Sequence, residues 1–199
     1  MALGMHSGGL SRGAQDHRRI STLEKSIWPP ARGTVAPVQF AHYVKQQLIA
    51  RRRHFVTPTR KQFAEYFKFA IVRNPWDRAY SWYRNVVRDP IHRRNFDVAE
   101  DTPFDDFVDR HLDCWALDPL LDWLCDKSGD IVVDYVGKFE ALADAFDHVR
   151  KHLDIQQSEL PRALHSPFAN YRDAYSAELR DHVAAKYSKE IELFGYTFD

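Results

Sequence analysis

Arg73, Asn74, Pro75 and Ser81 are the residues whose types and spacing bear most directly on chemistry. An arginine guanidinium is a planar fork that can engage two oxygens of a phosphate in a charge-assisted geometry, which lysine cannot copy. A serine two helical turns further on can add one hydroxyl bond. Asparagine followed by proline is a strong helix start: the asparagine side chain caps the first N–H groups, and the proline has no N–H to leave unpaired. Free N–H groups and the dipole at a helix start favour an anion. Together the four residues suit an oxyanion of the phosphate type. The alternative is plainer: Arg73 pairs with a nearby carboxylate and Ser81 is an ordinary helix-surface serine.

These side chains need elements to hold them. The run Phe67–Val72 (FKFAIV) is short, apolar and closed by Arg73-Asn74-Pro75, which predicts a buried strand ending in a turn. The helix that follows carries Ala79, Trp82, Tyr83 and Val86 on one apolar stripe. Asn74, Arg78, Ser81, Asn85 and Arg88 share the other face. Trp76 can be either a stacking surface or core. A second strand is expected at Ile131–Val136 (IVVDYV), followed by a helix opened by Glu140 with Leu142, Phe146, Val149 and Leu153 at helical spacing. Ser176 can cap a last helix carrying Leu179, Val183, Tyr187 and Ile191, with Gly195 to end it. Such alternation predicts an α/β fold with a mainly parallel sheet, and open sheets of this kind bind ligands at the carboxyl ends of their strands.

Upstream, residues 1–37 are rich in Gly, Ser, Arg and Pro and are expected to be a largely irregular segment preceding one domain over 38–199. Val38 to about Ala50 has helical period and runs into Arg51, Arg52, Arg53 and His54. Cations suit a helix C-terminus, so this cluster is read as a helix end in preference to a nucleic-acid interface. At 199 residues and 44% apolar, the chain is long enough for one cored domain. No signal-peptide stretch or membrane span is visible, which makes a cytoplasmic protein the expectation. Cys114 and Cys125 form neither a disulfide framework nor a metal-binding spacing. A net charge of zero hides an asymmetry: 18 Lys/Arg and 5 Asp/Glu over residues 1–94, against 10 and 23 over 95–199. A basic half can receive an anionic ligand, or the two halves can simply attract each other.

The segment Phe69–Tyr83 (FAIVRNPWDRAYSWY) closely resembles the 3′-phosphate-binding segment of sulfotransferases that use 3′-phosphoadenosine 5′-phosphosulfate (PAPS), particularly the carbohydrate branch. There a strand ends in an Arg-Asn-Pro-type turn and a serine follows eight residues after the arginine, as Ser81 follows Arg73. The resemblance continues through Val133–Ile155, similar to the family's strand, Phe-Glu and helix, and through Tyr171–Tyr196, similar to its closing helix. It implies a P-loop-NTPase-like fold, lacking or altering the first strand here, with PAPS as co-substrate. Arg73 and Ser81 would hold the 3′-phosphate, and Asn74 and Arg78 would shape the same turn. The implied reaction moves a sulfuryl group to a hydroxyl, expected to be a carbohydrate's, without a metal. Phe40–Leu48 (FAHYVKQQL) resembles a family segment in which a histidine opens a helix. That makes His42 the candidate general base, since the pKa of histidine needs least adjustment for proton transfer near neutrality.

The family's Lys-Thr-Gly-Gly-Thr-Ser-like loop, which wraps the 5′-phosphosulfate, has no close counterpart. The nearest segment, His6–Ser11 (HSGGLS), keeps Gly8, Gly9 and Ser11 but puts His6 where the lysine would stand. A lysine and loop N–H groups would meet the charge growing on the departing oxygen, and losing one positioned donor costs roughly 10²–10³ in rate. The alternative function is therefore a catalytically silent protein that binds phosphoadenosine nucleotides.

Overall fold

The computed structural model describes residues 19–27, 37–52, 58–126, 128–156 and 170–199. Along the chain run helices α1 (Ile20–Ile27), α2 (Pro37–Arg52) and α3 (Arg60–Glu65), strand β1 (Phe69–Val72), then α4 (Pro75–Arg88), α5 (Pro90–Phe96), α6 (Phe104–His111) and α7 (Leu121–Leu124). Strand β2 (Tyr135–Lys138) follows, and then α8 (Leu142–His152), α9 (Ala177–Lys186) and α10 (Ser188–Phe194). This is a helix-rich α/β chain with a small parallel sheet. No helix among the described residues is long and apolar enough to cross a membrane. Two units form, one within Met1–Lys68 and Asp122–Asp134, the other within Phe69–Leu121 and Tyr135–Asp199.

In the first unit the expected helix over Val38–Ala50 is present and extends to Pro37–Arg52. Arg51 and Arg52 occupy its last turn, where cations suit the dipole; Arg53 and His54 lie outside the described residues. The segment 1–37, expected to be irregular, includes the helix α1. Helix α3 starts from a reciprocal cap: the Thr59 hydroxyl accepts from the Gln62 N–H at 3.2 Å, and the Gln62 side chain accepts from the Thr59 N–H at 2.8 Å. Ile131, expected in a strand, makes only an isolated antiparallel bridge to Cys125. The cause is the turn before it. Asp126 Oδ1 accepts from the N–H groups of Ser128 and Asp130 at 2.7 and 3.1 Å, and Gly129 supplies a φ of +90°.

The second unit is organised on β1 and α4. The strand covers only Phe69–Val72, two residues less than the run Phe67–Val72 predicted, and of its side chains only Val72 is buried; it pairs in parallel with β2, Phe69 opposite Tyr135 and Val72 opposite Lys138. The second strand thus begins at Tyr135, four residues later than expected, because its register is fixed by β1 rather than by its own apolar run. Gly137 has no freedom to be larger. A Cβ there would stand 2.6 Å from Ala145 Cβ on α8 and 2.9 Å from Ile71 Cδ1 on β1. Helix α4 buries Trp76, Ala79, Tyr80, Val86 and Val87. Trp82 and Tyr83, expected on the core stripe, are only half-buried. The helix touches α5, α6, α9 and the 3₁₀ turn Tyr171–Ala174, so its burial is broader than one stripe. Trp76 is core: it is 4% exposed and its indole N–H donates to the Arg180 carbonyl at 2.9 Å.

The closing helix is capped by Ser176, whose hydroxyl accepts from the Leu179 N–H at 3.1 Å. It divides in two at Tyr187. That ring is buried, and its hydroxyl donates to the Leu117 carbonyl at 2.6 Å, so the backbone bends to keep it in place. Burial pushes the phenol up to about 12, which keeps it a donor. Gly195, at φ +59°, ends α10 as expected.

Candidate functional site

Parallel pairing puts the ends of β1 and β2 at one edge of the sheet, so Arg73-Asn74 after β1 meets Phe139-Glu140 after β2. The Asn74 N–H donates to Glu140 Oε1 at 2.6 Å across a separation of 66 residues, the same offset as in the strand register. One position earlier, the Arg73 guanidinium carbon lies 4.4 Å from the centre of the Phe139 ring, a cation–π contact.

Arg73 is held on its edges as well as its face. Its Nε donates to Asp77 Oδ2 at 2.7 Å, an i,i+4 ion pair along the first turns of α4. Its Nη1 donates to Ser81 Oγ at 3.1 Å. Arg73, Asp77 and Ser81 are four residues apart in turn, so helical geometry sets them in one row. The side chains of Arg73 and Asp77 are 21% and 25% exposed, reachable by a ligand yet partly sheltered from solvent screening. The expected arginine–serine pairing is therefore present in space, and so is a carboxylate partner for the arginine.

The helix start itself differs from the expectation of free N–H groups. Asn74 Oδ1 accepts from the N–H groups of Trp76 and Asp77 at 3.1 and 3.4 Å, and Pro75 has none to offer. With the Asn74 N–H given to Glu140, the first donors of α4 are already engaged. An anion at this turn would be met by the arginine and serine side chains and the dipole, not by bare backbone donors. Asn74 also reaches beyond its own turn. Its Nδ2 donates to the Thr197 carbonyl at 2.8 Å, tying the turn to the chain after α10. The Tyr196 hydroxyl donates to Glu140 Oε2 at 3.3 Å. Burial, reinforced by that carboxylate, pushes the phenol well above its usual range and holds it protonated.

Arg78 takes a different direction from Arg73 and Ser81. Its Nη1 donates to the Asp118 carbonyl at 3.0 Å and its guanidinium covers the Tyr187 ring at 4.9 Å. Those contacts join α4 to the 3₁₀ turn Trp115–Leu117 and to the α9–α10 junction. His42 belongs to the other unit and lies in the second turn of α2, not at a helix opening. His6–Ser11 lies outside the described residues. Sequence reasoning missed three members of the cluster: Asp77 as the partner of Arg73, Phe139 beneath its guanidinium and Glu140 on the Asn74 N–H. The i,i+4 spacing of Arg73 and Asp77 was a usable signal. The other two depend on strand register, which no local pattern reveals.

A strand–turn–helix unit that brings an arginine, its carboxylate partner and a serine to the carboxyl edge of a parallel pair defines the class: a helix-rich α/β protein with a polar site at that edge. The particular family follows from comparison: a model described as the sulfotransferase family, of the family 2 type, matches residues 36–197, and the chain belongs to that family. The match includes β1, the Arg73–Ser81 turn, β2 and both closing helices. Family membership points to sulfuryl transfer as the class of chemistry. No curated protein and no solved structure matches the chain.

Proposed function

We propose that this protein transfers a sulfuryl group from PAPS to a hydroxyl, one borne by a carbohydrate, within a P-loop-like α/β domain over 38–199. Arg73 and Ser81 hold the 3′-phosphate of the nucleotide. Asn74 and Arg78 keep the turn and its helix in place, the first through Glu140 and Thr197, the second through Asp118 and Tyr187. The observation that carries this reading is the 3.1 Å approach of Arg73 Nη1 to Ser81 Oγ in a chain of the sulfotransferase family. Two donors that close can share one phosphate, and they fit the group better than the helix N–H groups, which are already capped. In the reaction the bond from sulfur to the bridging phosphate oxygen breaks as one to the acceptor oxygen forms, and the acceptor proton leaves to a base. His42 is the proposed base.

Calorimetric titration with 3′,5′-phosphoadenosine tests the reading. Hydrogen bonds to charged groups contribute about 1.5–3 kcal/mol, so Arg73→Ala is expected to weaken binding roughly 10- to 150-fold. Ser81→Ala loses a single hydroxyl bond and is expected to cost about 2- to 10-fold. Unchanged affinity in a folded Arg73→Ala protein removes the assignment.

A second reading, nucleotide binding without turnover, is favoured by His6 standing where the family's loop lysine would be. The groups that tell a 5′-phosphosulfate from a 5′-phosphate belong to that loop, and binding two states equally does not accelerate a reaction. PAPS and 3′,5′-phosphoadenosine would then bind alike with no sulfate transferred to glycans. Clear preference for PAPS with robust transfer selects the first reading.

A further inference from the structure

We infer that Asp77 is a positioning residue, which fixes the plane of the Arg73 guanidinium so that its Nη edge and Ser81 together grip the 3′-phosphate. This rests on the reading of Arg73 as a ligand of that phosphate. An arginine side chain has many rotamers, and part of that freedom is lost whenever it is fixed by a ligand. Two constraints remove most of that freedom beforehand. Phe139 covers one face of the guanidinium at 4.4 Å, and Asp77 Oδ2 takes Nε at 2.7 Å. A ring on the face sets the tilt, and an acceptor on Nε sets the rotation within the plane. With Nε occupied, the outward edge is the Nη pair. Nη1 already points to Ser81 Oγ, and Nη2 has no hydrogen-bond partner among the described residues. The ion pair engages the guanidinium through Nε, so it leaves donors for a ligand rather than using up the arginine.

The carboxylate also opposes an incoming phosphate of like charge. Its orienting effect needs only an oxygen acceptor, which an amide oxygen also supplies. The two contributions can therefore be separated by substitution. Asp77→Ala removes both. Asp77→Asn keeps the acceptor and discards the charge, whereas Asp77→Glu keeps the charge favoured in a first helical turn and displaces the oxygens by one methylene.

The wild-type chain, Arg73→Ala and the three Asp77 variants are titrated with 3′,5′-phosphoadenosine and with adenosine 5′-monophosphate, which lacks the 3′-phosphate. Thermal unfolding is followed for each. Losing one orienting hydrogen bond of about 1 kcal/mol, offset only in part by relief of the like charge, is expected to weaken the bisphosphate by up to about fivefold in Asp77→Ala while leaving the monophosphate unchanged. Asp77→Asn is expected to rescue bisphosphate binding to the wild-type level or beyond. Asp77→Glu is expected to lose it as the alanine variant does, and it carries the test if the alanine variant fails to fold. A residue that merely supports the helix start would weaken both nucleotides together. Equal effects on the two nucleotides, no effect, or no rescue by asparagine each overturn the positioning role while Arg73→Ala still separates the nucleotides. If Arg73→Ala leaves both affinities unchanged, the underlying site reading is what fails.

Discussion

The two strand–helix pairs of the second unit, β1–α4 and β2–α8, reach the same architecture by different means. The first is encoded locally. Val72 ends the apolar run, Asn74 caps, Pro75 fixes the first helical φ, and the strand end and helix start both fall where the sequence alone puts them. The second has no side-chain cap: the chain passes from β2 through the 3₁₀ turn Phe139–Ala141 into α8, with Ala141 at φ −120° and ψ 42°. Its boundaries come from its partner. Pairing with β1 chooses which residues are strand, and the close approach of Ala145 and Ile71 to Gly137 chooses where the helix can lie. A boundary written in caps belongs to its own segment, whereas one written in packing exists only in the folded unit. The two kinds meet at the candidate site, where Glu140 of the second pair holds the capped turn of the first.

This contrast can be broken from either side. The largest effect on stability is expected at the packed unit. Gly137→Ala would put a methyl 2.6 Å from Ala145 Cβ, which is bonded directly to its backbone and cannot swing aside, and 2.9 Å from Ile71 Cδ1. Overpacking of this kind costs about 1–3 kcal/mol. The urea midpoint should fall, and Gly137→Ala combined with Ala145→Gly should recover part of it. Full stability of the single variant would show that β2 and α8 are not held as closely as their geometry indicates.

A smaller loss is expected at the capped unit. Asn74→Ala removes an N-cap, which costs about 0.5–2 kcal/mol, and also the donor to Thr197. Asn74→Asp keeps the cap but not that donor. Comparing the two in denaturant divides the local from the tertiary share. If both lose equally, the turn is set by the chain after α10 rather than by its own cap.

The smallest effect is expected ahead of the strands, at Lys68 and Asp134, again 66 residues apart. Asp134 Oδ2 accepts from the Lys68 N–H at 2.6 Å and pairs with its Nζ at 3.0 Å. The backbone bond first, and then the lysine, hold the carboxyl below its usual range. Because the folded value is depressed, its stabilisation is present above the unfolded value of about 3.9 and is lost as pH falls through the folded one. Asp134 is half-exposed, so the contribution is modest. Asp134→Asn should flatten the acid limb of a stability–pH profile. An unaltered limb would place the acid sensitivity elsewhere.

What the sequence by itself determined is the set of features whose causes lie within a turn or two of chain. The end of β1, the Asn74-Pro75 start, the Ser176 cap, the Gly195 stop and the Arg73–Ser81 spacing all depend on near neighbours, and all stand where the sequence puts them. The place of β2, the break at Tyr187 and the partners of Arg78 were not legible, for each is fixed by residues 40 or more positions away in sequence. The site divides along the same line. Helical periodicity alone sets Arg73, Asp77 and Ser81 in a row. Only the parallel register, acting over 66 residues, brings Phe139 beneath the guanidinium and Glu140 onto the Asn74 N–H.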